Sequence, residues 1–163
     1  MGCSPSNKPQ TFEVGKQTFL LDGKPFVIKA AEMHYTRIPA EYWEHRIQMC
    51  KALGMNTICI YAFWNIHEQR PGEFDFKGQN DIAEFCRLAQ KNGMYIMLRP
   101  GPYVCSEWEM GGLPWWLLKK KDIQLRTNDP YFLERTKLFM NEIGKQLAEE
   151  LNIPLLGQVP LVQ

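Results

Sequence analysis

From Thr11 onward, apolar and polar positions alternate in short runs: Phe12 and Val14, then Phe19 and Leu21, on either side of Gly15-Lys16. The turn signal Asp22-Gly23-Lys24-Pro25 follows, and the pattern predicts a short amino-terminal β-hairpin. Residues 25–31 form a compact apolar run, the signature of a strand buried on both faces, and are expected to be the first core strand. Pro39 is placed to open a helix in which Trp43, Ile47 and Cys50 recur at i, i+4 and i+7, with Gly54 as its left-handed cap. Residues 57–61 then read as a second buried strand.

The same grammar repeats. Asn80 is expected to cap a helix whose Ile82, Phe85, Cys86 and Ala89 share one face, Asn92-Gly93 ends it, and residues 94–98 form the third buried strand. Asp129-Pro130 opens a further helix with Phe132, Thr136, Phe139, Ile143 and Leu147 on its inner side, and Leu155 to Gln163 carry the start of a fourth strand. Strands alternating with helices imply right-handed βαβ units and a parallel sheet.

Two parallel architectures compete. A doubly wound nucleotide-binding sheet wants a glycine-rich phosphate loop after a strand, and neither G-x-G-x-x-G nor G-x-x-x-x-G-K-[ST] occurs. A (β/α)8 barrel places its polar and aromatic residues just past the carboxyl ends of its strands, where Glu32 to Tyr35, Trp64 to Glu68 and Glu107 to Glu109 fall. The barrel is favoured, but such a barrel takes about 250 residues, and this chain has 163. The expected fold class is therefore α/β: the N-terminal portion of a (β/α)8 TIM barrel, about three to four βα units preceded by the hairpin. Residues 1–10 are expected to be a disordered leader and residues 11–163 the partial barrel.

Composition narrows the partners. Lys and Arg number 19 against 18 Asp and Glu, which leaves no basic surplus for counterion release from nucleic acid. The apolar stretches fall far short of the roughly 20 residues of a membrane helix. Five cysteines and three histidines show neither C-x-x-C nor H-E-x-x-H spacing, so no metal site is expected, and Cys50, Cys59 and Cys86 read as small buried hydrophobes. The start Met-Gly-Cys-Ser-Pro-Ser lacks the apolar core of a complete secretory signal but fits a myristoylation pattern. Cys3 also suits the lipidated cysteine of a trimmed lipoprotein, and a plain polar tail is the third reading; a periplasmic or extracellular location is favoured over the cytoplasm.

Each strand end delivers a carboxylate beside aromatics: Glu32 near Tyr35, Glu68 after Trp64 and His67, and Glu107 and Glu109 around Trp108. Aromatic faces stack on sugar rings and carboxylates bind hydroxyls, so the mixture suits carbohydrate. Paired carboxylates are also what glycoside hydrolysis needs. Glu68 reads equally as a structural cap or ion-pair partner, and Arg99 as half of a structural ion pair. His34 and His67 are expected to make orienting hydrogen bonds, and residues 115–118 a short packed helix rather than a membrane-surface one.

The motifs Ala31-Glu32-Met33-His34-Tyr35, Trp64-Asn65-Ile66-His67-Glu68, Leu98 to Cys105 and Glu107 to Pro114 make the chain resemble glycoside hydrolase family 35, the retaining β-galactosidases. The resemblance runs from about Thr11 to about Lys145. It implies a TIM-barrel hydrolase that removes terminal β-linked galactose from glycans or oligosaccharides without metal or organic cofactor. Tyr61 matches a tyrosine lining the galactose pocket, Glu107 a glutamate that binds sugar hydroxyls, and Cys105 and Ser106 the backbone stretch beside it. The family's acid/base glutamate lies at the end of the fourth strand and its nucleophilic glutamate much later, so both are expected beyond Gln163. No catalytic residue is therefore assigned, and Glu32, Glu68, Glu107 and Glu109 are not promoted to that role. The isolated chain is expected to be inactive and to self-associate through unpaired barrel edges. The alternative is a carbohydrate-binding or non-functional product.

Overall fold

A computed structural model describes residues 11–148 of the chain. It opens with an antiparallel meander of β1 (Phe12–Val14), β2 (Phe19–Leu21) and β3 (Lys24–Phe26). The expected hairpin is thus extended by a third strand. Asp22 and Gly23 join β2 to β3 with φ of +50° and +73°, the pair of left-handed residues that a two-residue hairpin turn requires. The Asp22 carboxylate also accepts from the Thr11 amide at 2.9 Å, pinning the turn to the start of the meander.

The second sheet is parallel and consists of β4 (Ala30–Glu32), β5 (Thr57–Tyr61) and β6 (Tyr95–Arg99), with β5 in the centre. Every residue of β5 is buried, as expected for a parallel strand covered on both faces. The single core strand expected over residues 25–31 is instead split between the two sheets. Asn56 explains the break: its side-chain amide donates to the Val27 carbonyl at 2.8 Å and its oxygen accepts from the Lys29 amide at 2.9 Å. Those side-chain bonds satisfy the backbone where ladder pairing stops, and Val27 is left exposed.

Between β4 and β5 runs α1 (Trp43–Ala52). Pro39 does not begin this helix: it precedes a short 3-10 turn at Ala40–Tyr42, and α1 starts at Trp43. The Trp43 indole donates to the carbonyls of Tyr35 and Ile38, anchoring the helix start beneath the β4 exit, and Trp43 and Ile47 are buried as their spacing requires. After β5 come the single turn α2 (Trp64–His67) and then α3 (Ile82–Lys91). The cap of α3 is Asp81 and not Asn80: the Asp81 carboxylate accepts from the Glu84 amide at 2.7 Å, while the Asn80 amide is turned to Asp75 at 2.8 Å. Ile82, Phe85, Cys86 and Ala89 form the buried face that the periodicity predicts.

The last described element, α4 (Pro130–Ala148), is capped by Asp129, which accepts from the Phe132 amide at 2.9 Å. Phe132, Phe139, Ile143 and Leu147 are buried along its inner side and Thr136 is partly buried, with Phe139 stacked on Trp64 at 5.2 Å between centroids. Strand, helix, strand, helix thus recurs around one core shared by α1, α3, α4 and the parallel sheet. The leader over residues 1–10, Cys3 within it, and the fourth strand expected from Leu155 to Gln163 lie outside the described residues. Three parallel strands, β4 to β6, are present among the described residues where three to four βα units were expected, and of the residues 11–163 expected to form the partial barrel those up to Ala148 are described.

Candidate carbohydrate site

Parallel strands end on one side of their sheet, so Glu32, Tyr61 and Arg99, the last residues of β4, β5 and β6, come together there. Tyr61 and Arg99 are register partners. The Tyr61 hydroxyl donates to Glu32 Oε2 at 2.9 Å and accepts from the Arg99 guanidinium, which also lies 4.5 Å over the tyrosine ring. Arg99 in turn is 4.0 Å from Glu32 Oε2, so the ion pair expected for it is present, with Glu32 as partner. His34 Nε2 sits 3.2 Å from the other oxygen of Glu32, and the His34 ring meets Tyr61 and Phe63 edge-on. Burial, and next the bond to Glu32, push the Tyr61 phenol above its ordinary range, against the Ser106 hydroxyl and the Arg99 charge.

Beyond β6 the chain forms an unusual turn. Cys105, Ser106 and Glu107 are three consecutive non-glycine residues with φ of +62°, +54° and +46°. Left-handed backbone costs a side-chain-bearing residue energy, so it persists only where surroundings hold it. Here Arg37 supplies the hold: one guanidinium nitrogen donates to the Ser106 and Glu107 carbonyls at 3.1 and 2.9 Å. The Trp108 amide closes the turn on the Cys105 carbonyl at 3.0 Å. Ser106 is buried with its hydroxyl on the Val104 carbonyl, whereas Cys105 and Glu107 are exposed.

Trp108 is a candidate sugar platform by composition, but its side chain is engaged by the protein. Its indole donates to Asn65 at 3.0 Å, Arg37 lies 4.6 Å from its ring centre, and Phe63 packs at 4.5 Å. A groove of about 740 Å³ beside the turn is lined by Arg37, Asn65, Glu107, Trp108 and Glu109 among others. The structure therefore brings Ser106 close to Tyr61, sets Glu107 and Cys105 on the exposed side of the same turn, and adds Glu32, His34, Arg99 and Arg37. Sequence reasoning names Glu32 among the strand-end carboxylates, His34 for an orienting hydrogen bond and Arg99 for an ion pair without assigning any of them to the pocket, and it gives Arg37 no role.

Glu68 and His67 belong to the core. Glu68 has no exposed surface; its carboxylate accepts from the Trp64 indole at 2.6 Å, the Gly72 amide at 2.7 Å and Arg135, and its carbonyl accepts from Trp116 at 2.8 Å. It fastens α2, the 3-10 segment Trp115–Lys119 and α4, the structural alternative of the two readings. That segment is a packed turn with Trp116 and Leu117 buried. His67 Nδ1 donates to the Asp75 carbonyl at 2.9 Å, which leaves Nε2 to accept from the Tyr35 hydroxyl. Burial lowers its pKa to about 4, so the ring is neutral at pH 7. Among the described residues no group of three His, Cys, Asp or Glu side chains is arranged to hold a metal ion, and no helix is long and apolar enough to cross a membrane. Cys86 is pushed up to about 12 by burial, and Cys59 is buried as expected, with Cys50 partly so.

Residues 18–163 match the sequence model of glycosyl hydrolases family 35, so the match extends to Gln163. The chain is 43% identical over 150 residues to a beta-galactosidase of Xanthomonas manihotis, covering 92% of this chain and 25% of that protein. It is 47% identical to the beta-galactosidases of Mus musculus, over 76% of this chain and 20% of that protein, and of Homo sapiens, over 75% and 18%. The chain thus spans about a quarter or less of the length of these relatives. Among solved structures, GH5_18 from Bifidobacterium longum superposes with a TM-score of 0.62 at 15% identity, covering 77% of this chain and 32% of that one. An exo-beta-1,4-mannosidase from Opitutaceae bacterium strain TAV5 superposes with a TM-score of 0.58 at 23% identity, covering 77% and 23%. At such identity the likeness shows the fold alone, an α/β arrangement shared with glycosidase barrels.

Proposed function

The chain belongs to glycosyl hydrolases family 35, and from that premise we propose that it forms the amino-terminal part of the catalytic barrel of a retaining β-galactosidase. In this reading it supplies three to four βα units of a (β/α)8 barrel, and the protein hydrolyses terminal non-reducing β-D-galactosyl residues of glycans or oligosaccharides. The observation that carries the reading is the packing of Tyr61 with Phe63, Val104 and Trp108, which sets it beside the Cys105–Glu107 turn at the carboxyl ends of β5 and β6, where barrel enzymes build their sites.

Tyr61 lines the sugar pocket, Glu107 accepts from sugar hydroxyls, and Cys105 and Ser106 offer the backbone of their turn. Retaining hydrolysis needs one carboxylic acid to protonate the leaving oxygen and a second carboxylate to attack, and it needs no metal. None of the four candidate carboxylates is given either task. Glu68 is locked in the core, Glu32 is bonded to Tyr61 and His34, Glu107 serves binding, and Glu109 is an exposed residue lining the groove. In this reading the acid/base and the nucleophile come from residues beyond Gln163.

Hydrolysis of an aryl β-galactoside tests this reading. The isolated 163-residue chain is expected to give none, and the protein as its source makes it is expected to be active and weakened by Tyr61→Phe. Activity in the isolated chain that vanishes with Glu107→Gln would place catalysis on Glu107 and overturn the assignment. Galactose binding without hydrolysis in either form would make this a carbohydrate-binding protein instead. In isolation β4 and β6 each carry an edge unpaired among the described residues, so we expect the isolated chain to self-associate with rising concentration.

A further inference from the structure

The Tyr61 hydroxyl has one proton to give and two lone pairs to offer. The proton is committed to Glu32 Oε2 at 2.9 Å, and Arg99 occupies one lone pair. Ser106 has its own proton on the Val104 carbonyl at 3.0 Å. The Ser106 hydroxyl that lies against the phenol thus brings no proton to it, so the phenol has no proton left to give and one lone pair still unassigned. Glu32 is itself held from the far side, its Oε1 lying 3.2 Å from His34 Nε2 and its Oε2 4.0 Å from Arg99. His34 is nearly buried and packs edge-on against Tyr61 and Phe63, so the half-exposed Glu32 side chain meets a fixed partner on the side away from the phenol.

We propose that Glu32 is a positioning residue that acts through Tyr61: by taking the phenol proton it makes Tyr61 an acceptor only, so the site selects a sugar hydroxyl that donates at this point. The ligand half of this inference rests on the reading of Tyr61 as a galactose contact. The link between Glu32 and Tyr61 stands on geometry alone and is tested separately. A hydrogen bond from a neutral phenol to a carboxylate is charge-assisted, which makes it stronger than a bond between two neutral groups and fixes the direction of the proton. The raised pKa of Tyr61 agrees with this, although burial contributes more to it than Glu32 does.

The test uses the protein as its source makes it, labelled with 13Cζ-tyrosine, with Tyr61→Phe identifying the Tyr61 resonance. The charged and titratable groups that face the phenol are Glu32, Arg99 and His34, with the Ser106 hydroxyl beside them. Glu32→Ala is expected to lower the titration midpoint of Tyr61 and to weaken D-galactose binding in calorimetry about tenfold. Glu32→Gln, which keeps an acceptor oxygen for the phenol, is expected to restore most of that affinity. In a Tyr61→Phe background, Glu32→Ala is expected to cost nothing further, because the group it acts through is gone.

An unmoved Tyr61 midpoint in Glu32→Ala would overturn the link. An equal loss of affinity with and without the Tyr61 hydroxyl would show that Glu32 acts independently and would also overturn it. Unchanged galactose binding in Tyr61→Phe alone would instead defeat the galactose reading and the ligand half that rests on it. The resonance shift would still report the Glu32 bond in that case.

Discussion

Arg135, on α4, pairs with the carboxylate of Glu68, 67 positions earlier and without exposed surface. The guanidinium also lies over the Trp116 ring, so three separate segments converge on one buried charge pair. Removing one partner of such a pair leaves the other uncompensated, at a cost of about 3–5 kcal/mol. Glu68→Gln is therefore expected to destabilise the protein by several kcal/mol in urea unfolding. The double variant Glu68→Gln/Arg135→Met is expected to recover part of that loss, since no lone charge remains. A loss under about 1 kcal/mol in Glu68→Gln would show the pair to be dispensable.

His67 gives the fold a defined acid sensitivity. Burial holds its folded-state pKa at about 4 against an ordinary value of 6.5, so below pH 6.5 the unfolded chain takes up a proton that the folded chain refuses. Its contribution is fully present above about pH 6.5 and is lost as pH falls toward 4, a swing of up to about 3 kcal/mol. His67→Gln is expected to flatten the stability profile across that window. It also costs stability at pH 7, because the glutamine cannot serve both the Asp75 carbonyl and the Tyr35 hydroxyl at their present positions. Thermal unfolding between pH 4 and 7 measures both effects.

Gly111 lies where the loop after β6 folds back on itself. Its φ is +60°, and a methyl group there would overlap the Tyr103 ring. Its carbonyl meanwhile accepts from the Val104 amide at 2.8 Å, next to the site turn. Gly111→Ala is expected to displace Tyr103 and disturb that turn, visible as new amide shifts across residues 103–108. Adding Tyr103→Ala removes the ring but not the backbone strain, so recovery is expected to be partial.

The cap of α3 allows a comparison between neighbours. Asp81→Ala removes the acceptor of the Glu84 amide and is expected to cost about 1 kcal/mol. Asn80→Ala removes only an exposed bond to Asp75 and is expected to cost less than half as much. Equal losses would mean that the cap is shared.

Most of this architecture is legible in the sequence because the periodic apolar faces are long. Trp43 and Ile47 on α1, the four-residue face of α3 and the inner line of α4 all pack as their spacing says. The misreadings have local causes. An apolar run does not reveal that Asn56 will satisfy the backbone at Val27 and Lys29, nor that Asp81 and not Asn80 will turn toward Glu84. In the site, the motif residues are identifiable, but the hold of Arg37 on the turn and of Glu32 on Tyr61 spans 69–70 and 29 positions. Such long-range hydrogen bonds leave no pattern in a single sequence. The engagement of Trp108 by Arg37, Phe63 and Asn65 is hidden for the same reason.

The measurement closest to the centre of this account is calorimetric titration of the protein, as its source makes it, with D-galactose and with D-glucose as control. Galactose is expected to bind in preference to glucose, with affinity reduced about tenfold or more by Glu107→Gln and by Tyr61→Phe while the far-UV spectrum stays unchanged. Absence of galactose binding, or binding that neither variant weakens, would contradict the assignment of a galactose pocket to the ends of β5 and β6.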